Sequence, residues 1–338
     1  MTTGTAVKII DAIRPDDLMT EAKRLREESG QLFWKRHHSQ FIERPCPACA
    51  SEGTFAFKKY GFPHCLCTHC KTLYVTPRPD DSLLDRYYNT YPAPHYWTQV
   101  LLQTDSTRKA LQYRPRAQKI ISLIKQHLRQ TPDLAVDIGA GSGAFALALK
   151  HEAYFASVLA MDISREAVEK CRKAGLDARI GSADMLEESS VDYIALNDII
   201  EHLPEPVLFL ETCRRALKPG GLLSIACPNG EGFDFQIMKE HTVNIAPPEH
   251  LQYFNPYAIT VLLNGAGFET AAVETPGILD VEIVERSAAN GECSLADNTY
   301  IQYLLTQCNE KVKQNFQRFL AENKLSSHML VLAKKHLQ

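Results

Sequence analysis

Two cysteine pairs, Cys46-Pro-Ala-Cys49 and Cys67-Thr-His-Cys70, are separated by 17 residues. That spacing matches the C-x2-C-x15–20-C-x2-C pattern of a zinc site. Four thiolates close a tetrahedral ion completely, so the expected role is structural. His64, Cys65 and His69 lie in the same segment and are substitute ligands. The later cysteines are scattered, and core packing is their default role.

A second constellation begins at 134-LAVDIGAGSGAFALAL-149. An apolar run ends in Asp137, and Gly139-x-Gly141-x-x-Ala144 follows, a loose fit to a dinucleotide fingerprint. The turn lacks the Lys-Ser/Thr ending of a phosphate-gripping loop. Asp162 closes the next apolar run, 158-VLAMD-162, at a spacing suited to two ribose hydroxyls. That acid serves a nicotinamide dinucleotide or an adenosyl ligand equally well. Three later stretches decide between them: 181-GSADMLEE-188, 192-DYIALNDIIEHLPEP-206 and 217-LKPGGLLSIACPN-229. The first offers Asp184 and Met185 as a carboxylate and a thioether for an adenine.

Two histidines add proton chemistry. His202 follows the fourth run of the series, and His250 sits in 247-PPEHLQYF-254 after the fifth. An alcohol needs a base before it attacks an electrophile, and imidazole titrates in the right range. Glu201 and Glu249 each precede one of them and could orient an imidazole or bind substrate hydroxyls. The long 228–256 stretch, polar and aromatic, suits a polyhydroxylated acceptor.

These residues need a scaffold that brings them to one edge. Strand patterns at 134–138, 157–161, 178–181, 192–197 and 222–227 alternate with helix patterns at 143–151, 164–174 and 206–217. This predicts an α/β fold with a doubly wound parallel sheet and helices on both faces. A helix at 116–130 leads in. Asn255–Gly265 reads as a helix, 268–275 as a strand, about 285–325 as a helical insert and 327–334 as a last strand. The organisation expected is a helical extension (1–43), a zinc-binding module (44–76), an aromatic-rich linker or lid (77–115) and the sheet domain (116–338). Pro15 through Glu28 suits a surface helix.

In that order, the motifs resemble the class I S-adenosylmethionine-dependent methyltransferases over roughly residues 116–275, with 327–334 completing a Rossmann-like sheet of seven strands. The resemblance implies that Asp137, Gly139, Gly141 and Gly143 line the methionine end of S-adenosylmethionine. It places Asp162 at the ribose, Asp184 and Met185 at the adenine, and Asn197 and Asp198 beside the methyl. His250 or His202 would be the general base. A bland role stands beside each: Gly143 for close helix packing, Met185 for the core, Asp184 for a loop.

The cysteine module, 74-YVTPRPD-80, the Tyr-rich helix and 247-PPEHLQYF-254 are together similar to bacterial methyltransferases found among surface-polysaccharide and nucleotide-sugar enzymes. The expected function is methylation, at oxygen, of a small-molecule or carbohydrate-linked acceptor, with structural Zn2+.

The 338 residues are 45% hydrophobic and 23% charged, with a formal net charge of −3. Such a balance gives no broad pull toward nucleic acid or an anionic membrane. No apolar run is long enough to span a bilayer, and the start lacks a signal-peptide core. The expectation is cytoplasmic; the oligomeric state is not legible. Two alternatives remain at this level. One is an RNA base methyltransferase, with Lys58, Lys59, Lys71 and Arg78 at phosphates. The other is a non-catalytic zinc-ribbon interaction protein.

Overall fold

The computed structural model describes residues 8–128 and 131–336. Eleven strands are defined among them: β1 (Gly53–Lys59), β2 (Phe62–Cys67), β3 (Leu73–Val75), β4 (Leu134–Ile138), β5 (Ser157–Asp162), β6 (Asp177–Ile180), β7 (Val191–Asn197), β8 (Leu217–Pro228), β9 (Gln252–Tyr253), β10 (Phe268–Glu274) and β11 (His328–Lys335). Seven form one sheet in the order β10-β11-β8-β7-β4-β5-β6. The strands β4 through β8 run parallel, and β11 is antiparallel to both β8 and β10.

Alternation along the central strands separates two cores, because successive side chains point to opposite faces. Val136 and Ile138 of β4, with Ile194 and Leu196 of β7, face Ile259 and Leu262 of the helix Pro256–Gly265. Ala135, Tyr193 and Ala195 face the helices Arg114–His127 and Ala144–His151. Asn255 caps the helix Pro256–Gly265 by accepting from the Ala258 amide at 2.7 Å. The parallel register sets Asp137 opposite Ala160 and Ala195 and Asn197 opposite Ala226. The polar strand ends therefore share one carboxyl edge, where doubly wound sheets take their ligands.

The cysteine segment forms a second sheet, ordered β1-β2-β3-β9. Its fourth strand, β9, comes from residues near 250. Leu73 pairs with Tyr253 and Tyr74 with Gln252. The ribbon is thus tied to the sheet domain by backbone as well as by packing.

The helical insert begins earlier than the sequence pattern suggests. Helices span Asp280–Ala289, Thr299–Gln307 and Glu310–Glu322. The start of the first falls before the expected insert, because its acidic residues mask a buried stripe of Val281, Ile283 and Val284. The helix read at Pro15–Glu28 runs on to His37. Within that range Ala22 alone is buried, but the extension buries Ser29, Gly30 and Phe33, and the cavity-facing side carries Arg26. Ile10 and Ile13 pack on Phe233, Leu279 and Val284, so the beginning of the described chain closes against the late helical insert.

Candidate active site

A cavity of about 1960 Å³ opens along the carboxyl edge of the large sheet. Helices from residues 81–113 form one wall, and the helix Asp16–His37 forms another. Drug-sized ligands occupy pockets of about 300–1,000 Å³, so there is space for two ligands.

The glycine turn forms part of the rim. Gly139 and Gly141 have φ of 70° and 54°, a left-handed conformation that glycine adopts without steric penalty. Gly139 and Gly141 line the cavity, as do Asp137 and Asp162. One Asp162 oxygen accepts from the Gly141 amide at 2.9 Å and the other from the Ser164 amide at 2.8 Å. The acid is therefore fixed in place, with lone pairs left over for a ligand. Asp137 is buried and accepts from Asn197 Nδ2 at 3.3 Å. Burial pushes its carboxyl up to about 7.

Three of the expected cofactor residues sit elsewhere. Gly143 does not line the cavity: a Cβ there would meet Leu176 and Cys171 at 2.8 and 2.9 Å, so close helix packing accounts for it. Asp184 and Met185 are exposed and outside the lining, although the neighbouring Gly181 and Ser182 belong to it. Met185 Sδ instead lies against Gly181.

Asn197 and Asp198 stand at the end of β7. Arg116 donates to Asn197 Oδ1 at 2.9 Å and lies 3.7 Å from Asp198. His328 Nε2 approaches Asp198 at 3.2 Å. Burial alone would raise the Asp198 carboxyl, but His328 and Arg116 reverse that and hold it below its usual range. Arg116 and His328 were not singled out from the sequence. Nothing local marks them, since they reach this edge from 81 and 130 residues away.

His202 and His250 meet. Their rings lie edge to face, 4.7 Å apart between centroids. Tyr88 Oη is 2.9 Å from His202 Nδ1, and His250 Nδ1 is 2.7 Å from the Asn244 carbonyl. A carbonyl only accepts, so His250 carries its proton on Nδ1 and leaves Nε2 with a lone pair. Burial lowers both imidazoles from 6.5, His250 most strongly, with His202 and Arg26 adding to it. Both rings are thereby biased toward the neutral form.

The two glutamates diverge in role. Glu249 accepts from Tyr87 Oη at 3.2 Å and from Arg26, whose nearest nitrogen is 3.0 Å away. It therefore clamps the first long helix to the loop. Glu201 is buried, its Oε2 has no partner among the described residues, and burial with Asp198 nearby pushes its carboxyl well up. Protonation of Glu201 avoids an unpaired buried charge.

The ribbon brings its four predicted cysteines together. All four Sγ atoms lie within 4.8 Å of one another, and three pairs are at 3.5 Å. Zinc–sulfur bonds of about 2.3 Å in a tetrahedron require S···S separations of about 3.8 Å, so the donor set fits a zinc ion. The Thr72 hydroxyl lies 3.0 Å from Cys70 Sγ, and the Cys70 amide donates to Cys67 Sγ at 3.4 Å. Cys65, His64 and His69 are outside the quartet. His64 is buried, stacked on Phe57, with Nδ1 3.1 Å from the Phe62 carbonyl.

Ribbon and site are mechanically joined. Gln252, paired with β3 through β9, donates its side-chain amide to the Ile200 and Leu203 carbonyls, both at 2.7 Å. Those two carbonyls bracket Glu201 and His202.

Residues 136–225 match the family model described as a methyltransferase domain. The chain carries a class I S-adenosylmethionine-dependent methyltransferase domain. It is 28% identical over 184 residues to the ubiquinone biosynthesis O-methyltransferase of Xylella fastidiosa strain 9a5c, covering 50% of this chain and 71% of that one. It is 31% identical over 118 residues to the enzyme of the same name from Methylococcus capsulatus, covering 32% of this chain and 49% of that one. Among solved structures, an S-adenosylmethionine-dependent methyltransferase from Archaeoglobus fulgidus superposes with a TM-score of 0.44 and 19% identity, covering 66% of this chain and 92% of that one. The family match lies within the expected methyltransferase domain, and the cysteine ribbon falls outside it. Among the described residues no helix is long and apolar enough to cross a membrane.

Proposed function

We propose that this protein O-methylates a small polar acceptor inside the central cavity. The carrying observation is the His202–His250 pair, edge to face and lining the cavity with Asn197 and Asp198 of the β7 end. The O-methyltransferase names of the two relatives favour oxygen as the methylated atom. Those relatives are named for ubiquinone biosynthesis rather than for polysaccharides. A carbohydrate-linked acceptor is our own reading, supported by the polar lining that Asn244, Asn290 and Thr98 give the cavity.

S-adenosylmethionine supplies an electrophilic methyl carbon on a sulfonium. The chain supplies alignment and a proton acceptor. In this proposal Asp162 receives the ribose hydroxyls, while Asp137, Gly139 and Gly141 bound the methionine portion. Gly181 and Ser182 face the adenine region, with Asp184 and Met185 at its rim. His250 Nε2 takes the acceptor proton, with the Asn244 carbonyl holding the Nδ1 proton opposite. His202 braces the ring and is in turn held by Tyr88. Cys46, Cys49, Cys67 and Cys70 hold a structural zinc, and through Gln252 they fix the turn that bears His202.

The direct test is transfer of label from methyl-labelled S-adenosylmethionine to fractions of a cell extract. Label in small-molecule or sugar fractions supports the proposal, and label confined to RNA overturns it. His250→Ala should lower kcat by about 10²–10⁴-fold with unchanged cofactor affinity, the usual yield of a positioned base. Full turnover in both His250→Ala and His202→Ala would exclude both as the base. The pH profile gives a second check. A base whose pKa is depressed keeps its lone pair as pH falls through 6.5, so the acid limb of kcat/KM should lie below 6.5. An acid limb at or above 6.5 would contradict the neutral pair.

A further inference from the structure

Three basic side chains that line the cavity, Arg14, Lys59 and Arg108, have no acidic partner within ion-pair distance among the described residues. Arg108 is satisfied by neutral oxygens only: the Thr104 hydroxyl at 2.7 Å, Gln112 at 3.3 Å and the Ile13 carbonyl at 3.1 Å. Lys59 donates to the Thr242 carbonyl at 2.9 Å, again a neutral acceptor. The Arg14 guanidinium makes no hydrogen bond to the described residues and is not among the solvent-sealed unpartnered atoms, so its donors are open to the cavity. Arg26, already engaged by Glu249, lies within electrostatic reach of both Arg14 and Lys59.

Sunken cations without a counter-charge are costly to keep. Burial, helped by Lys23 and Arg26, brings the Lys59 ammonium down to about 7. Burial and then Arg108 bring Arg14 down to about 10. The acids in range do not relieve this. Asp234 near Arg14 already accepts from Thr242 and Asn244 at 2.7 and 2.8 Å, and its own carboxyl is raised by burial. Glu240 and Glu27 act on Lys59 only from beyond bonding distance.

We propose that the acceptor carries a phosphate or diphosphate group, and that Arg14, Lys59 and Arg108 on the cavity wall hold that group. This rests on the reading that the acceptor occupies the cavity beside His250. A planar guanidinium with free donors matches phosphoryl oxygens, and the ammonium adds a compact second charge. Three unpaired cations on the cavity wall favour a multiply charged anion over a single carboxylate. The cavity's volume leaves room for such a group in addition to the cofactor.

The test is calorimetric titration of the full chain with inorganic pyrophosphate, with S-adenosylhomocysteine present. Pyrophosphate should bind, and malonate, a dicarboxylate of lower charge, should bind at least about tenfold more weakly. Arg14→Gln and Lys59→Met should each weaken pyrophosphate at least about tenfold while S-adenosylhomocysteine affinity stays unchanged, which also shows that the variants fold. Lys59→Arg should retain binding. Absence of pyrophosphate binding in a protein that binds S-adenosylhomocysteine overturns the proposal. Undiminished binding in both charge-removing variants, or equal affinity for malonate, overturns it too. Pyrophosphate binding that both variants lose, in a protein that fails to bind S-adenosylhomocysteine, would sink the cofactor reading and still support the anion site.

Discussion

Asp162→Ala should weaken S-adenosylmethionine binding by at least about 10²-fold. Two lost charge-assisted hydrogen bonds of about 1.5–3 kcal/mol each account for that. The same substitution frees the Gly141 and Ser164 amides from their carboxylate partner. The glycine turn then loses its brace along with the ribose its anchor. Asp162 is half-exposed at the strand end, so the melting temperature should fall by only a few degrees. Asp162→Asn separates the two roles, because the amide retains one acceptor but no charge. Its affinity should fall between wild type and the alanine variant. Isothermal titration with S-adenosylhomocysteine measures all three, and an unchanged Kd in Asp162→Ala would remove Asp162 from the cofactor site.

The second large effect is expected at the ribbon. Cys46→Ser should abolish stoichiometric zinc, measured by elemental analysis of the purified chain. Zinc in comparable four-ligand sites contributes about 10–16 kcal/mol of apparent binding energy, which doubles as folding energy. Cys46, Cys67 and Cys70 are almost fully buried and share an apolar cluster with the large sheet. Loss of the ion would therefore expose thiols inside a core rather than on a detached module. The coupling through β9 leads to a further expectation. Chelation should reduce kcat more than cofactor affinity, because Gln252 braces the turn of His202 while Asp162 is held by its own strand edge. A full complement of zinc in Cys46→Ser would show that the ligands are misassigned. Equal loss of kcat and cofactor affinity would show general unfolding instead.

The elements that the sequence determined by itself are those with short-range causes. Apolar alternation and glycine turns placed β4, β5, β7 and β11 within a residue or two of where they lie. The C-x2-C spacing alone identified the four thiols that converge, because a knuckle is built from neighbouring residues. Asp162 was legible for the same reason: a strand end fixes where its side chain points. The tertiary structure decided what depends on remote segments meeting. Arg26 reaches Glu249 across 223 positions, and the Arg108 guanidinium finds the Ile13 carbonyl across 95. No periodicity encodes such meetings, so the first helix read as surface although it walls the cavity. The pairing of His202 with His250 was likewise decided in three dimensions, by Gln252, two residues after His250, donating to the Ile200 and Leu203 carbonyls that flank His202. Gly143, Asp184 and Met185 show the opposite case. Motif position marked them for the ligand, but local packing turned Gly143 toward Cys171 and left the other two at the solvent-exposed rim. A motif fixes the backbone path; which side chains face the cavity is set by everything packed around it.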